Sequence, residues 1–144
     1  VGYRTPDDIV FLADCVSSAA TLEKYKIGYL YDVQAYLDTL SVVETLSAKL
    51  FVPSHTEPTE DIRELTEINR RSVFDVRDRI LSICAEPMNF EAILQRIFTD
   101  FGLTLNFEQY ALIGSTLRSY LSWLLDSGKL AVSFEDNLML WKTV

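Results

Sequence analysis

The sequence predicts an α+β protein with few strands and several helices. Three observations lead there. Ile9-Val10-Phe11-Leu12-Ala13 and Leu50-Phe51-Val52-Pro53 are short apolar runs with the length and residue types of buried strands. Apolar residues recur three and four apart in several longer stretches, the spacing of one helical face. Near the end, Leu130-Ala131-Val132-Ser133-Phe134 and Leu138-Met139-Leu140-Trp141 flank Glu135-Asp136-Asn137, a hairpin signature.

Each element follows in order. Asp7-Asp8 signals a turn, and the strand from Ile9 ends near Asp14. Ser17 to Thr21 reads as a polar loop and Leu22 to Tyr25 as one helical turn. Asp32 can cap a helix from Val33 to about Leu46, with Val33, Tyr36, Leu37, Leu40, Val43 and Leu46 as its buried stripe. The second strand ends in a loop, Ser54-His55-Thr56-Glu57-Pro58. Thr59 reads as the N-cap of a long helix to about Cys84, with Glu60 and Asp61 in its positive first turn. Ile62, Leu65, Ile68, Val73, Val76, Ile80 and Ile83 supply its apolar side; Arg63, Arg70, Arg71, Arg77 and Arg79 lie opposite.

Pro87 breaks that helix and divides the chain into 1–86 and 87–144. Beyond it come a helix from Phe90 to Phe101 with Gly102 as C-cap, and a longer one from Phe107 to Leu125 capped by Asn106. With the long helix to Cys84 in front, the order is three helices followed by a hairpin, that of a winged helix. The aromatics Phe90, Phe98, Phe101, Phe107, Tyr110, Tyr120 and Trp123 are expected to form the core of this tail.

Composition narrows the function classes. The 144 residues carry a net charge of −8, which repels phosphate backbones and disfavours non-specific nucleic-acid binding. The helix from Phe107 to Leu125 offers only Arg118 as a base, so duplex DNA reading is not expected. No apolar run reaches the ~18 residues of a membrane helix. Cys15 and Cys84 make no disulfide framework and fit a reducing, cytoplasmic setting. The chain has no initiator Met and no signal peptide, which suggests that it begins inside a larger protein.

His55 is the only histidine, and it follows a strand, as Asp14 does. Two such residues can meet at one sheet edge, and both are good ligands for zinc, manganese or iron. Two ligands are too few for a catalytic zinc. No Cys-x-x-Cys, His-Glu-x-x-His, Gly-rich phosphate loop or Gly-x-Ser-x-Gly elbow is present.

Ile9-Val10-Phe11-Leu12-Ala13-Asp14 resembles the strand and Gly-Asp step of metallo-β-lactamase-fold hydrolases. Leu50-Phe51-Val52-Pro53-Ser54-His55-Thr56 resembles their later strand and Pro-Gly-His-Gly step. Val1-Gly2-Tyr3-Arg4-Thr5-Pro6 is similar to the strand after the family's middle His ligand. The tail from Pro87 to Trp141, with Leu121 to Lys129 and the closing Trp141, resembles the winged-helix-like C-terminal extension of one branch. Ala13, Ser54 and Thr56 depart from the family, which usually has Gly there.

The resemblance implies the C-terminal half of an αββα sandwich over 1–86, followed by a winged-helix-like domain over 87–144. It implies that Asp14 bridges two metal ions, most often zinc, and that His55 is the last metal ligand. The family's His-x-His-x-Asp-His motif is not in this sequence. The chain is therefore expected to be part of a metal-dependent hydrolase, inactive by itself, binding metal weakly and completed by an N-terminal half. Its substrate would be a small molecule or an RNA, and a homodimer is expected. The alternative is a winged-helix module for interaction or dimerisation that does no chemistry, with nucleic-acid binding a weaker form of it.

Overall fold

A computed structural model describes residues 2–144, so Val1 of the opening strand lies outside the described residues. The elements are β1 (Tyr3–Arg4), β2 (Ile9–Ser17), α1 (Ala19–Tyr25), α2 (Val33–Glu44), β3 (Leu50–His55), α3 (Arg63–Ile83), α4 (Phe90–Asp100), α5 (Phe107–Asp126), β4 (Leu130–Glu135) and β5 (Leu138–Thr143). The α+β expectation holds. The chain forms two compact units, Val1–Lys26 with Gln34–Val73, and Ile27–Val33 with Phe74–Val144.

The first unit holds a sheet of order β1-β2-β3. β1 pairs antiparallel with β2 through the turn that Asp7-Asp8 signals, and Asp8 takes a left-handed φ of 66° there. β2 and β3 run parallel, and the chain between them passes through α1 and α2. Val10, Leu12 and Val16 of β2, Phe51 of β3, Leu40 and Val43 of α2, and Ile62 before α3 form one buried cluster. The helical stripe on α2 therefore finds the inward face of β2, as the spacing predicts.

Three boundaries differ from expectation. β2 continues past Asp14 to Ser17, because Ser17 pairs again with His55. Ser18, not a residue of a longer loop, caps α1 with its side-chain oxygen on the Thr21 N–H. Thr59 does not cap α3. Its backbone exchanges two hydrogen bonds with Phe51 of β3, at 2.8 and 3.0 Å, and the helix starts only at Arg63. Asp61 takes the capping part, accepting from the Arg63 N–H at 3.0 Å.

In the second unit, Asn89 and Asn106 cap α4 and α5, and Gly102 ends α4 with a φ of 65°. β4 and β5 pair over six residues each, with Asp136 and Asn137 both at positive φ, the requirement of a type I′ turn. Met88 extends the hairpin by exchanging two backbone bonds with Trp141. The core is formed by Ile80, Ile93, Leu94, Ile97, Tyr120, Leu121 and Leu124 among others. The aromatic expectation needs correction: Phe107 is 85% exposed and Tyr110 is 38% exposed. Both lie at the start of α5, where the first turn projects outward; the Tyr110 hydroxyl instead donates to Glu91.

Candidate metal-ligand pair on two parallel strands

Parallel pairing brings the two singled-out residues together. The Nε2 of His55 lies 3.0 Å from Oδ1 of Asp14, and both side chains are open to solvent. Neither is buried in an apolar interior.

How Asp14 reaches that position depends on a fault in the strand. Side chains alternate faces along a regular strand, so Val10, Leu12, residue 14 and Val16 would share one face. Val10, Leu12 and Val16 are core residues. A regular β2 would push a carboxylate among them. Instead the register slips between Phe11 and Ala13 and again between Ala13 and Ser17. Ala13 sits at a φ of 49°, in the left-handed region that glycine enters freely and L-residues enter at about 1–2 kcal/mol. That one residue turns the pleat over and directs Asp14 outward. The same φ explains why a glycine would suit position 13.

His55 is the last residue of β3, which runs two residues past the Pro53 end expected for it. Pro53 is buried, while Ser54 and His55 are exposed as the strand leaves the sheet.

The donor set suits part of a metal centre. Two donors to one ion, each about 2.0–2.2 Å from it, stand roughly 3.0–3.4 Å apart at bond angles between square and tetrahedral. The Asp14–His55 separation of 3.0 Å lies in that range. Among the described residues no group of three or more His, Cys, Asp or Glu side chains is placed to hold an ion. Asp14 and His55 are thus a pair of potential donors, short of the three that a catalytic zinc takes.

The arginines of α3 are engaged with carboxylates. Arg70 reaches Glu44 at 2.6 Å and Glu67 at 3.3 Å, Arg71 reaches Glu67, Arg63 reaches Asp61, Arg77 reaches Asp78 and Arg79 reaches Asp100. Arg63 and Asp61 each reinforce the charge of the other: the Arg63 hydrogen bonds hold the Asp61 carboxyl down at about 2. Arg118 of α5 stacks over the Phe90 ring at 3.8 Å. A face of paired cations is a poor phosphate binder, because each contact must first break an internal one.

One residue that the sequence reading passed over stands behind the pair. Asn69 is 2% exposed, in the middle of α3, and its side chain bonds to both backbone groups of Ser17. Asn69 and Thr66 hold inward positions on α3, whereas Ile68 is only half-buried. The signal was a polar residue four positions after Leu65 and seven after Ile62, on the apolar stripe.

With the geometry in place, likeness to solved structures is informative. Over 99% of its length the chain matches 44% of a β-lactamase domain protein from Burkholderia ambifaria, with a TM-score of 0.73 and 20% identity. It also matches 44% of a metallo-β-lactamase family protein from Thermus thermophilus, at a TM-score of 0.69 and 12% identity. The chain thus spans less than half the length of each. No protein-family model matches the sequence, and no curated protein does. At these identities the likeness is one of fold: the chain has the fold of part of a metallo-β-lactamase-type protein. No described helix is long and apolar enough to cross a membrane.

Proposed function

We propose that this chain is the C-terminal part of a metal-dependent hydrolase of the metallo-β-lactamase superfamily, with Asp14 and His55 as two of its metal ligands. One observation carries the reading. A carboxylate and the only imidazole meet 3.0 Å apart in solvent, in a fold that resembles part of that superfamily. The strand fault that places Asp14 there supports it, because backbone strain inside a strand, away from any turn, is a feature of functional sites.

In this reading Asp14 and His55 would hold metal ions, Asp14 shared between two and His55 on one of them, zinc being the first choice for an imidazole–carboxylate set and manganese or iron the others. Such ions would supply Lewis acidity and a water activated at neutral pH. The chain's own part is to hold two donors at fixed separation on adjacent strands. By itself it offers too few ligands for a catalytic zinc. An N-terminal half supplies the rest, together with the surfaces that select a small-molecule or RNA substrate. We take residues 1–86 as the metallo-β-lactamase portion and 87–144 as a winged-helix-like extension, since α4, α5 and the β4–β5 hairpin follow one another there with the long α3 in front. A cytoplasmic setting agrees with two free cysteines.

The test is metal content and hydrolysis in the longer protein. Asp14→Ala is expected to remove both ions and activity, and His55→Ala to weaken one ion site. Metal loading unchanged by Asp14→Ala would refute the assignment.

A further inference from the structure

We infer that Asn69 is the positioning residue of the Asp14–His55 pair, acting through Ser17; this rests on the reading of the pair as metal ligands. Ala13 pairs with Pro53 and Ser17 pairs with His55, so between these two rungs β2 advances four residues while β3 advances two. Asp14 lies in the longer stretch. A stretch with more chain than its neighbour keeps one shape only if both ends are held. The first end is held by the ladder, where Ala13 faces Pro53 and, two residues before it, Phe11 faces Tyr3 as well as Val52.

The second end is held by Asn69. Its Oδ1 accepts from the Ser17 N–H at 3.0 Å, and its Nδ2 donates to the Ser17 carbonyl at 2.8 Å. Nδ2 also donates to the Leu65 carbonyl at 2.8 Å, and Oδ1 accepts from the Tyr36 hydroxyl at 3.1 Å. All four bonding positions of the amide are thereby filled. The amide takes over both backbone groups of Ser17, as a neighbouring strand would. It is fixed in turn by its own helix and by α2. Ser17 is also the strand partner of His55, so a single clamp sets where Asp14's stretch ends and where His55 stands. Asparagine suits this position because it offers a donor and an acceptor side by side; leucine has the volume and neither group.

The experiment uses this chain. Since His55 is the only histidine, its ring provides the only imidazole signals in a zinc titration followed by NMR. Asn69→Leu is expected to weaken zinc binding at His55 by about tenfold or more, the usual effect of losing a partner that orients a ligand. Val43→Ala, a core truncation that loses comparable stability, is expected to leave it within about twofold. In the same samples, without zinc, backbone order parameters at Asp14 and Cys15 should drop in Asn69→Leu to the flexible range, below about 0.6, and stay high in Val43→Ala. If Asn69→Leu does not fold, Tyr36→Phe removes one bond to Oδ1 and should give a loss of about threefold. Unchanged order parameters together with unchanged zinc affinity in the folded variant overturn the clamp. Where zinc does not reach His55 in the parent chain, the order parameters decide on Asn69, and the metal content of the longer protein with Asp14→Ala decides on the metal-ligand reading.

Discussion

Asp14 and Val16 stand two residues apart on one strand, yet Val16 is fully buried and the Asp14 side chain is 78% exposed. A strand that kept its period of two would treat them alike. The difference is made by Ala13, whose left-handed φ of 49° interrupts the pleat.

That interruption predicts the effect of changing Ala13. Glycine enters the left-handed region without the Cβ clash that costs alanine about 1–2 kcal/mol, and gives back about 0.5–1 kcal/mol as extra freedom in the unfolded chain. Ala13→Gly should therefore leave stability unchanged or raise it by up to about 1 kcal/mol, where glycine in a regular strand would lower it. Ala13→Val should destabilise by about 1 kcal/mol or more, since a β-branched residue tolerates positive φ least. Urea denaturation of the three proteins tests this; a clear loss in Ala13→Gly would contradict it.

One buried and one half-buried acid make the protein sensitive to alkali. Burial pushes the Cys84 thiol from 9.0 up to about 11. Burial, with the Cys15 charge second, pushes the Tyr36 hydroxyl from 10.0 up to about 12. Each group is neutral when protonated, so on raising the pH the unfolded chain releases these protons first. The unfolded state then binds fewer protons than the folded state, and stability falls with pH. The contribution is intact below pH 9 and is lost progressively between 9 and 12. Urea midpoints measured from about pH 8 upward should decline through this window, and Cys84→Ala should flatten its lower part. A midpoint that rises with pH would be the contrary result.

The sheet also presents an open face. Tyr3 and Phe11 are strand partners, 66% and 44% exposed, on the side opposite Val10 and Leu12. Apolar side chains grouped on an exposed sheet face invite association. The chain by itself is expected to form a homodimer through this face, and Phe11→Lys to shift it toward monomer. Light scattering across a concentration series measures this; a monodisperse monomer for the parent chain would count against it.

How much was legible beforehand depends on range. The helices α2, α4 and α5 and the β4–β5 hairpin follow from local signals: apolar spacing, asparagine caps, a glycine stop and two turn residues at positive φ. Asp14 and His55 stood out because each follows an apolar strand run, and that is a local pattern too. Thr59 misled for the opposite reason. Its residue type suits a cap, but a partner eight positions earlier in sequence, Phe51, claims its backbone.

By itself the sequence determined which segments would be strands and helices, and that one carboxylate and one imidazole belonged near strand ends. These are properties of neighbouring residues, governed by dihedral preferences and side-chain period. Tertiary structure alone decided that the two groups come within 3.0 Å, that Ala13 turns Asp14 away from the core, and that Asn69 holds Ser17 from 52 positions away. Those relations arise from the register between β2 and β3 and from the packing of α3 against the strand end, and a register is set only when distant segments compete for the same hydrogen bonds.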